Sequence, residues 1–245
     1  MPDFDASALI RRLDSIAALG DAEKRALAEL PMKVAEIKSN QDIVRQGSRP
    51  SASFLMLKGL ACSFKVTGEA KRQILAFHIP GDMPDLQSLH LTVLDCSIGT
   101  ITPCTIGFVQ HQALQEICDR FPRIARAFWR QTLIDAATYR EWIVNTGRRP
   151  AYERMAHLLC EAVVRLRAVG LADGDGCDLP ITQSEFGDAL GLSTVHVNRV
   201  LQELRGAGLI VFKGSALSVL DWDGLRAAGD FDPAYLHFEQ GAEAP

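Results

Sequence analysis

The sequence is short of the features that mark secreted, membrane and metal-cluster proteins. Its six cysteines are scattered and form no C-x-x-C pair, whereas metal and cluster sites use closely spaced ligands. The N-terminus lacks the basic and apolar segments of a secretory leader, and no apolar run approaches the roughly 18 residues of a membrane span. We therefore expect a cytoplasmic protein with no membrane association, reduced and partly buried thiols, and neither metal nor cofactor.

Catalytic signatures are missing as well. The chain contains no G-x-S-x-G nucleophile motif, no H-E-x-x-H zinc motif and no phosphate-binding P-loop. The six histidines are dispersed, and His157 on a helix face is more typical of a core or interface residue than of a ligand. We predict no catalytic residue and no enzymatic activity.

Basic charge, which nucleic-acid-binding proteins use to contact phosphate, is also scarce. The formal net charge is −4, but it is unevenly distributed. Residues 146–216 carry eight basic and eight acidic side chains, while residues 217–245 carry six acidic side chains and the single Arg226. An acidic C-terminal tail thus supplies most of the net charge, and any argument for DNA binding depends on local placement.

Turn residues and short apolar runs organise the first half of the chain. Residues 8–30 have the pattern of two short helices, with a break at Gly20-Asp21. From Val34 to Val109, β-favouring runs alternate with turn residues, which predicts a β-sandwich or a small rolled barrel. The predicted strands are 34–37, 43–44, 53–57, 61–66, 73–79, 98–101 and 105–109.

A long helix is predicted to begin at Phe121-Pro122 and to end at a hinge, Thr146–Pro150. A helix that is apolar on more than one side must bury both, which favours packing against a second copy of the chain. The alternative is an ordinary core helix of a monomer. One apolar stripe comprises Ile124, Ala127, Phe128, Gln131, Ile134 and Thr138; the residues outside it are Trp129, Trp142, Ile143 and Val144.

Residues 180–219 have the pattern of a winged helix-turn-helix. Thr182 is placed to cap a helix over 183–190, Gly191 allows the tight turn, and Ser193 is placed to cap a second helix from Thr194 to about Gly206. Leu209–Phe212 and Ala216–Val219 form the wing. The alternative is a plain helical hairpin with solvated polar residues. We predict that DNA is contacted by Thr182, Ser193, Thr194, Val195, His196, Asn198, Arg199, Gln202 and the wing residue Lys213.

This segment resembles the DNA-binding domain of the cyclic-AMP receptor protein/fumarate-nitrate regulator (Crp/Fnr) family at Ile181–Gly187, Leu190–Ser193 and Val197–Arg199. Glu153–Ala156 resembles the family's first helix after the hinge. The resemblance implies an α+β fold and a homodimer on double-stranded DNA with an inverted-repeat operator, with RNA polymerase as a further candidate partner. It implies three parts: a cyclic-nucleotide-binding-like β-roll (a double-stranded β-helix) with N-terminal helices over 1–120, a dimerisation helix and hinge over 121–147, and a winged helix-turn-helix with an acidic tail over 148–245.

Within that resemblance, Arg199 falls on the family's DNA-contacting Arg, and Val195 falls where many members carry a base-reading Glu. We therefore expect this chain to prefer a different half-site from those members. A cyclic-nucleotide or other small-ligand sensor that acts without DNA binding is the alternative function, but it would leave the winged helix unexplained.

The effector site departs from the family pattern. Gly81 and Asp82 match the start of the phosphate-binding cassette, whereas the family's Gly-Glu pair falls on Asp85-Leu86 and its phosphate-binding Arg falls on Cys96. Ser97 matches. We predict a degenerate pocket that does not bind cyclic AMP in the family's manner. A different ligand, a thiol-based signal at a cysteine, and control by protein level alone stay open, and we favour the last.

Overall fold

The computed structural model describes residues 6–174 and 176–238. The chain divides into two compact units, Met1–Lys65 with Ala76–Asp135 and Val66–Leu75 with Ala136–Pro245. One division falls inside the long helix, between the boundaries that the sequence suggests at 120 and 147. The three-part division of the sequence stays a prediction.

Residues 33–110 contain an antiparallel β-roll, most of which belongs to the first unit. One sheet has the strand order β1-β7-β3 and the other β2-β6-β4-β5, and the core between them includes Phe54, Ile98 and Ile106. Every strand predicted between residues 34 and 109 is present, within one residue at each end. The elements are α1 (Ser7–Asp14), α2 (Asp21–Ala28), β1 (Lys33–Ile37), β2 (Asp42–Val44), β3 (Ala52–Lys58), β4 (Ala61–Val66), β5 (Arg72–His78), β6 (Ser97–Thr100), β7 (Cys104–Gln110) and α3 (His111–Arg120), with a 3-10 turn at Leu86–Leu89.

The second unit is the winged helix with its supporting elements. Its sheet has the order β10-β11-β9-β8. The short hairpin of β8 and β9 was not predicted from the sequence; β9 extends the wing, with Ala216 paired to Asp178. The elements are α5 (Ala151–Ala168), β8 (Ala172–Asp173), β9 (Gly176–Asp178), α6 (Gln183–Leu190), α7 (Thr194–Gly206), β10 (Ile210–Lys213), β11 (Ala216–Val219) and α8 (Trp222–Ala228), with a 3-10 turn at Pro233–Leu236.

The C-terminal region after the wing is folded, contrary to the prediction of an acidic tail. The sequence suggested an acidic tail after the wing, yet residues up to 238 fold and bury Leu225, Phe231 and Leu236. Two of the acidic residues are helix caps: Asp221 accepts a hydrogen bond from the Gly224 amide and Asp232 from the Ala234 amide. The rest of the predicted tail, 239–245, lies outside the described residues.

The long helix α4 (Pro122–Gly147) presents two apolar faces. The predicted stripe from Ile124 to Thr138 is buried, while Trp129 and Ile143 are each more than two-thirds exposed. Trp142, which lies outside that stripe, is 6% exposed and packs within the second unit. None of the described helices is long and apolar enough to cross a membrane.

Candidate nucleic-acid interface

The first helix of the helix-turn-helix is fixed by a complete capping box. The Thr182 hydroxyl accepts a hydrogen bond from the Glu185 amide at 3.3 Å, and the Glu185 carboxylate accepts one from the Thr182 amide at 2.7 Å. Each interaction satisfies a backbone donor that a helix start leaves unpaired. The predicted start of α6 is therefore confirmed, with Thr182 committed to the cap.

The turn between the helices depends on two glycines. Gly191 ends α6 with a φ of 66°, in the left-handed region that favours glycine. A Cβ at Gly187 would lie 2.6 Å from the carbonyl oxygen of Leu192, so the backbone after the turn passes directly against α6. This role of Gly187 was not predicted from the sequence.

The exposed face of α7 carries the predicted recognition residues. Ser193 caps the helix by accepting from the His196 amide at 3.3 Å, and Val195 is 79% exposed although it is apolar. An exposed valine at a helix start contributes nothing to the core, but it can contact a thymine methyl group. The remaining exposed side chains of this face are Thr194, Asn198, Arg199 and Gln202.

Arg199 is held by its neighbours on α7. Its Nη2 lies 2.8 Å from Nε2 of His196, and its Nε lies 3.6 Å from a carboxylate oxygen of Glu203. Glu203 is a feature that sequence analysis missed, although its i+4 spacing from Arg199 is visible in the sequence. The two contacts hold the guanidinium along the outer face of the helix.

The wing and the first helix of the domain are braced from the interior. Arg205 donates to the carbonyl oxygen of Phe212, which ties α7 to β10. Arg154 on α5 donates to the carbonyl oxygen of Leu190 at 2.9 Å, which ties α5 to the end of α6. Lys213 stands exposed at the end of β10, beside the tight turn at Gly214. Because Lys213 is the single basic residue between 209 and 219, it is the cation that the wing presents to solvent.

The start of the degenerate effector cassette has a structural role. Gly81 has a φ of 98°, and a Cβ there would lie 2.6 Å from the carbonyl oxygen of Ala8 on α1. Asp82 accepts from the Ile79 amide at 3.0 Å and lies 3.5 Å from Arg12, with both side chains buried. The N-terminal helix therefore packs directly on the first residues of the cassette.

Asp85 faces the interior of the β-roll. Its carboxylate accepts a hydrogen bond from the Phe54 amide at 2.9 Å, and its other oxygen has no hydrogen-bond partner among the residues that the structure describes. Burial raises the pKa of Asp85 to about 7, although the Phe54 hydrogen bond acts in the opposite direction. Asp85 is therefore a buried carboxyl group whose surroundings favour the neutral form.

The remaining cassette residues offer no positive charge. Leu86 and Cys96 are buried, and burial, with a smaller effect of Asp95, raises the pKa of the Cys96 thiol. The Ser97 hydroxyl accepts from the Gln46 amide at 3.0 Å. Inside the roll, Ser63 and His78 form a buried pair 2.7 Å apart that sequence analysis missed, since nothing in their spacing links them.

The six cysteines are free, and four of them, Cys62, Cys96, Cys104 and Cys160, are buried. This confirms the expectation of partly buried thiols. Among the described residues, no three His, Cys, Asp or Glu side chains come together as a metal site would require.

Comparisons with known proteins agree with this architecture. Residues 34–121 match the cyclic nucleotide-binding domain and residues 153–228 the Crp-like helix-turn-helix domain. Transcriptional activator protein FnrA of Stutzerimonas stutzeri is 24% identical over 202 residues, 82% of either chain. Nitrogen fixation regulation protein FixK of Bradyrhizobium diazoefficiens is 26% identical over 220 residues, 89% of this chain and 90% of that protein.

The fold is also that of a solved structure. The structure of FixK2 from Bradyrhizobium japonicum is similar with a TM-score of 0.74 and 24% sequence identity, covering 81% of this chain and 98% of that one. The two matched domains follow each other in the order that the resemblance implies, and a long helix lies between them. The chain therefore belongs to the Crp/Fnr family and is a DNA-binding transcription regulator.

Proposed function

We propose that the protein acts as a homodimer that reads an inverted-repeat operator with the exposed face of α7. The observation that carries this proposal is the capped helix-turn-helix, whose outer face presents Val195, Asn198 and Arg199 to solvent. Arg199 would bind guanine, Asn198 or Gln202 adenine, and Val195 a thymine methyl group. The remaining proposed contacts, to backbone or base, come from Thr182, Ser193, Thr194, His196 and Lys213.

The proposed dimer uses the free face of α4. Trp129, Leu133 and Ile143 are more than half exposed along one helix, an arrangement that is unfavourable unless another surface covers it. A two-fold pairing of this helix would place the two recognition helices on successive major grooves, about 34 Å apart. We propose the cytoplasm as the site of action, and RNA polymerase as a further partner because several relatives bear the name of transcriptional activators.

We further propose that cyclic AMP is not the signal. The cassette segment 81–97 contains no Lys or Arg, so a cyclic phosphate would enter without a paired cation, which is strongly unfavourable in a buried site. Leu86 cannot accept hydrogen bonds from ribose hydroxyls. These departures support control through the amount of protein.

Selection of bound sequences from random double-stranded DNA tests the proposal, together with sedimentation at micromolar concentration. We expect an inverted repeat and a dimer. A monomer with and without DNA would contradict the dimer, and the absence of any enriched sequence would favour a sensor that acts without DNA.

A further inference from the structure

A buried carboxylate joins three segments of the second unit. Glu161 on α5 is 1% exposed, and its Oε2 accepts from Nε1 of Trp142 at 3.0 Å and from the hydroxyl of Tyr235 at 2.8 Å. Its other oxygen lies 3.4 Å from Arg165. Trp142 precedes the hinge, and Tyr235 belongs to residues 229–238, which we call the C-terminal strap. Because a buried charge is tolerated only when it is paired and hydrogen-bonded, these donors fix one another's positions.

His157 attaches the strap to α5 at a second point. Its Nδ1 lies 3.0 Å from the carbonyl oxygen of Gly229, which can only accept, so Nδ1 carries the proton. Burial, followed by the nearby Arg149, lowers the pKa of His157 and keeps the ring neutral. The ring also stacks on Tyr235 with centroids 5.9 Å apart. A Cβ at Gly229 would lie 2.5 Å from the His157 amide nitrogen, so the strap begins in direct contact with α5.

The hinge itself is held from both sides. Arg149 lies 2.7 Å from the carboxylate of Glu141 on α4 and 3.4 Å from that of Asp230 in the strap. The strap therefore contacts the hinge and α5 directly, and through Glu161 it shares an acceptor with α4. The matched Crp-like domain ends at residue 228, so the strap lies outside the part of the chain that the family explains.

We infer that Trp142, Glu161 and Tyr235 are positioning residues that fix the end of α4 against the DNA-binding domain and thereby set the operator spacing that the protein accepts. The inference rests on the proposed dimer and its inverted repeat. In such dimers the half-site spacing follows from where the protein holds its two recognition helices. A joint that opens between α4 and α5 would let each recognition helix shift along its groove, and the preference for one spacing would weaken.

The test compares two variants that each remove one donor to Glu161: Tyr235→Phe, which keeps the ring, and Trp142→Phe, which leaves a smaller aromatic ring. Tyr152→Phe on α5 makes the same chemical change outside the network and is the matched control. The measurement is the Kd for the selected operator, for the same operator with one base pair inserted or deleted at its centre, and for a single half-site. We expect the wild type and Tyr152→Phe to lose about tenfold or more in affinity when the spacing changes, and the other two variants to lose clearly less.

Half-site affinity separates positioning from a general loss of structure, and we expect it to be unchanged in every folded variant. Spacing discrimination that equals the wild type's in folded Tyr235→Phe or Trp142→Phe would overturn the inference and leave the proposed function intact. A wild type that binds half-site and full operator equally well, as a monomer, would instead overturn the proposed function. If one variant fails to fold, the other tests the same oxygen from the opposite side of the hinge.

Discussion

At the scale of single residues, Arg199 carries the sharpest expectation about DNA. Arg199→Ala should weaken binding to the selected operator by about 1–3 kcal/mol and relax the preference at one base position, because a bidentate contact to a base is lost. Lys213→Ala is the comparison. It should weaken binding to all DNA sequences similarly and lower the slope of log affinity against log salt concentration by about one. Electrophoretic mobility shifts over a range of salt concentrations measure both. An equal loss on random DNA would make Arg199 a phosphate contact.

Asp85 gives an expectation about stability. Its folded pKa of about 7 lies above the ordinary value of 3.8, so the folded state binds a proton that the unfolded state has released. The favourable contribution of the protonated form is complete below about pH 4 and is lost as the pH rises towards 7. Asp85→Asn stays neutral and should be the more stable form above pH 7, by up to about 4 kcal/mol.

Urea denaturation at pH 5 and pH 8 checks this expectation for Asp85. The advantage of the Asn variant should grow between the two pH values. The exposed Asp95→Asn is the control and should show little change. An advantage of Asp85→Asn that shrinks with rising pH would show that the carboxylate is stabilised by its surroundings.

At the scale of elements, the turn of the helix-turn-helix depends on the closeness of Gly187 to Leu192. Gly187→Ala would push a methyl group against a backbone carbonyl and should destabilise the domain by about 1–3 kcal/mol, with weaker DNA binding. Gly206→Ala on α7 is the matched control, since nothing lies within 4 Å of its added Cβ. It should be neutral or stabilising by up to about 1 kcal/mol. Thermal unfolding of both variants decides the matter, and equal melting temperatures would contradict the tight approach.

The same elements show what the sequence could predict. The helices α6 and α7 begin and end where the sequence predicts, because Thr182, Ser193 and Gly191 are local signals that act within one turn. The hairpin of β8 and β9 has only two and three residues per strand and carries no such signal. The fold of residues 222–238 was hidden because Asp221 and Asp232 were counted as solvated charge, whereas they cap helices. The contact of Trp142 with Glu161 could not be predicted, because the two residues are brought together only by the fold.

At the scale of the whole molecule, the net charge of −4 does not oppose DNA binding. Screening at physiological salt acts over about 8 Å, so charges distant from the recognition face contribute little to its local potential. Under the proposed function, the exposed cations Arg199 and Lys213 would then act on DNA locally.

A ligand signal would have to connect the β-roll to DNA binding. A ligand changes the affinity for DNA only to the extent that it binds the DNA-binding and the non-binding conformations of the protein with different affinities. By the resemblance, Leu86 and Cys96 stand where the family carries Glu and Arg, and burial raises the pKa of the Cys96 thiol. These two positions would therefore offer cyclic AMP neither a cation nor an acceptor for its ribose hydroxyls. Calorimetric titration with cyclic AMP and cyclic GMP should give no heat at micromolar concentration, and the Kd for operator DNA should be the same with and without either nucleotide.

Cys96→Arg with Leu86→Glu, which restores the family's pair, is the informative comparison if it stays folded. Micromolar nucleotide binding by the wild type that lowers its Kd for operator DNA would contradict this prediction. It would show that other residues of the roll, with Ser63 and His78 as the first candidates, provide the nucleotide contacts that the cassette lacks.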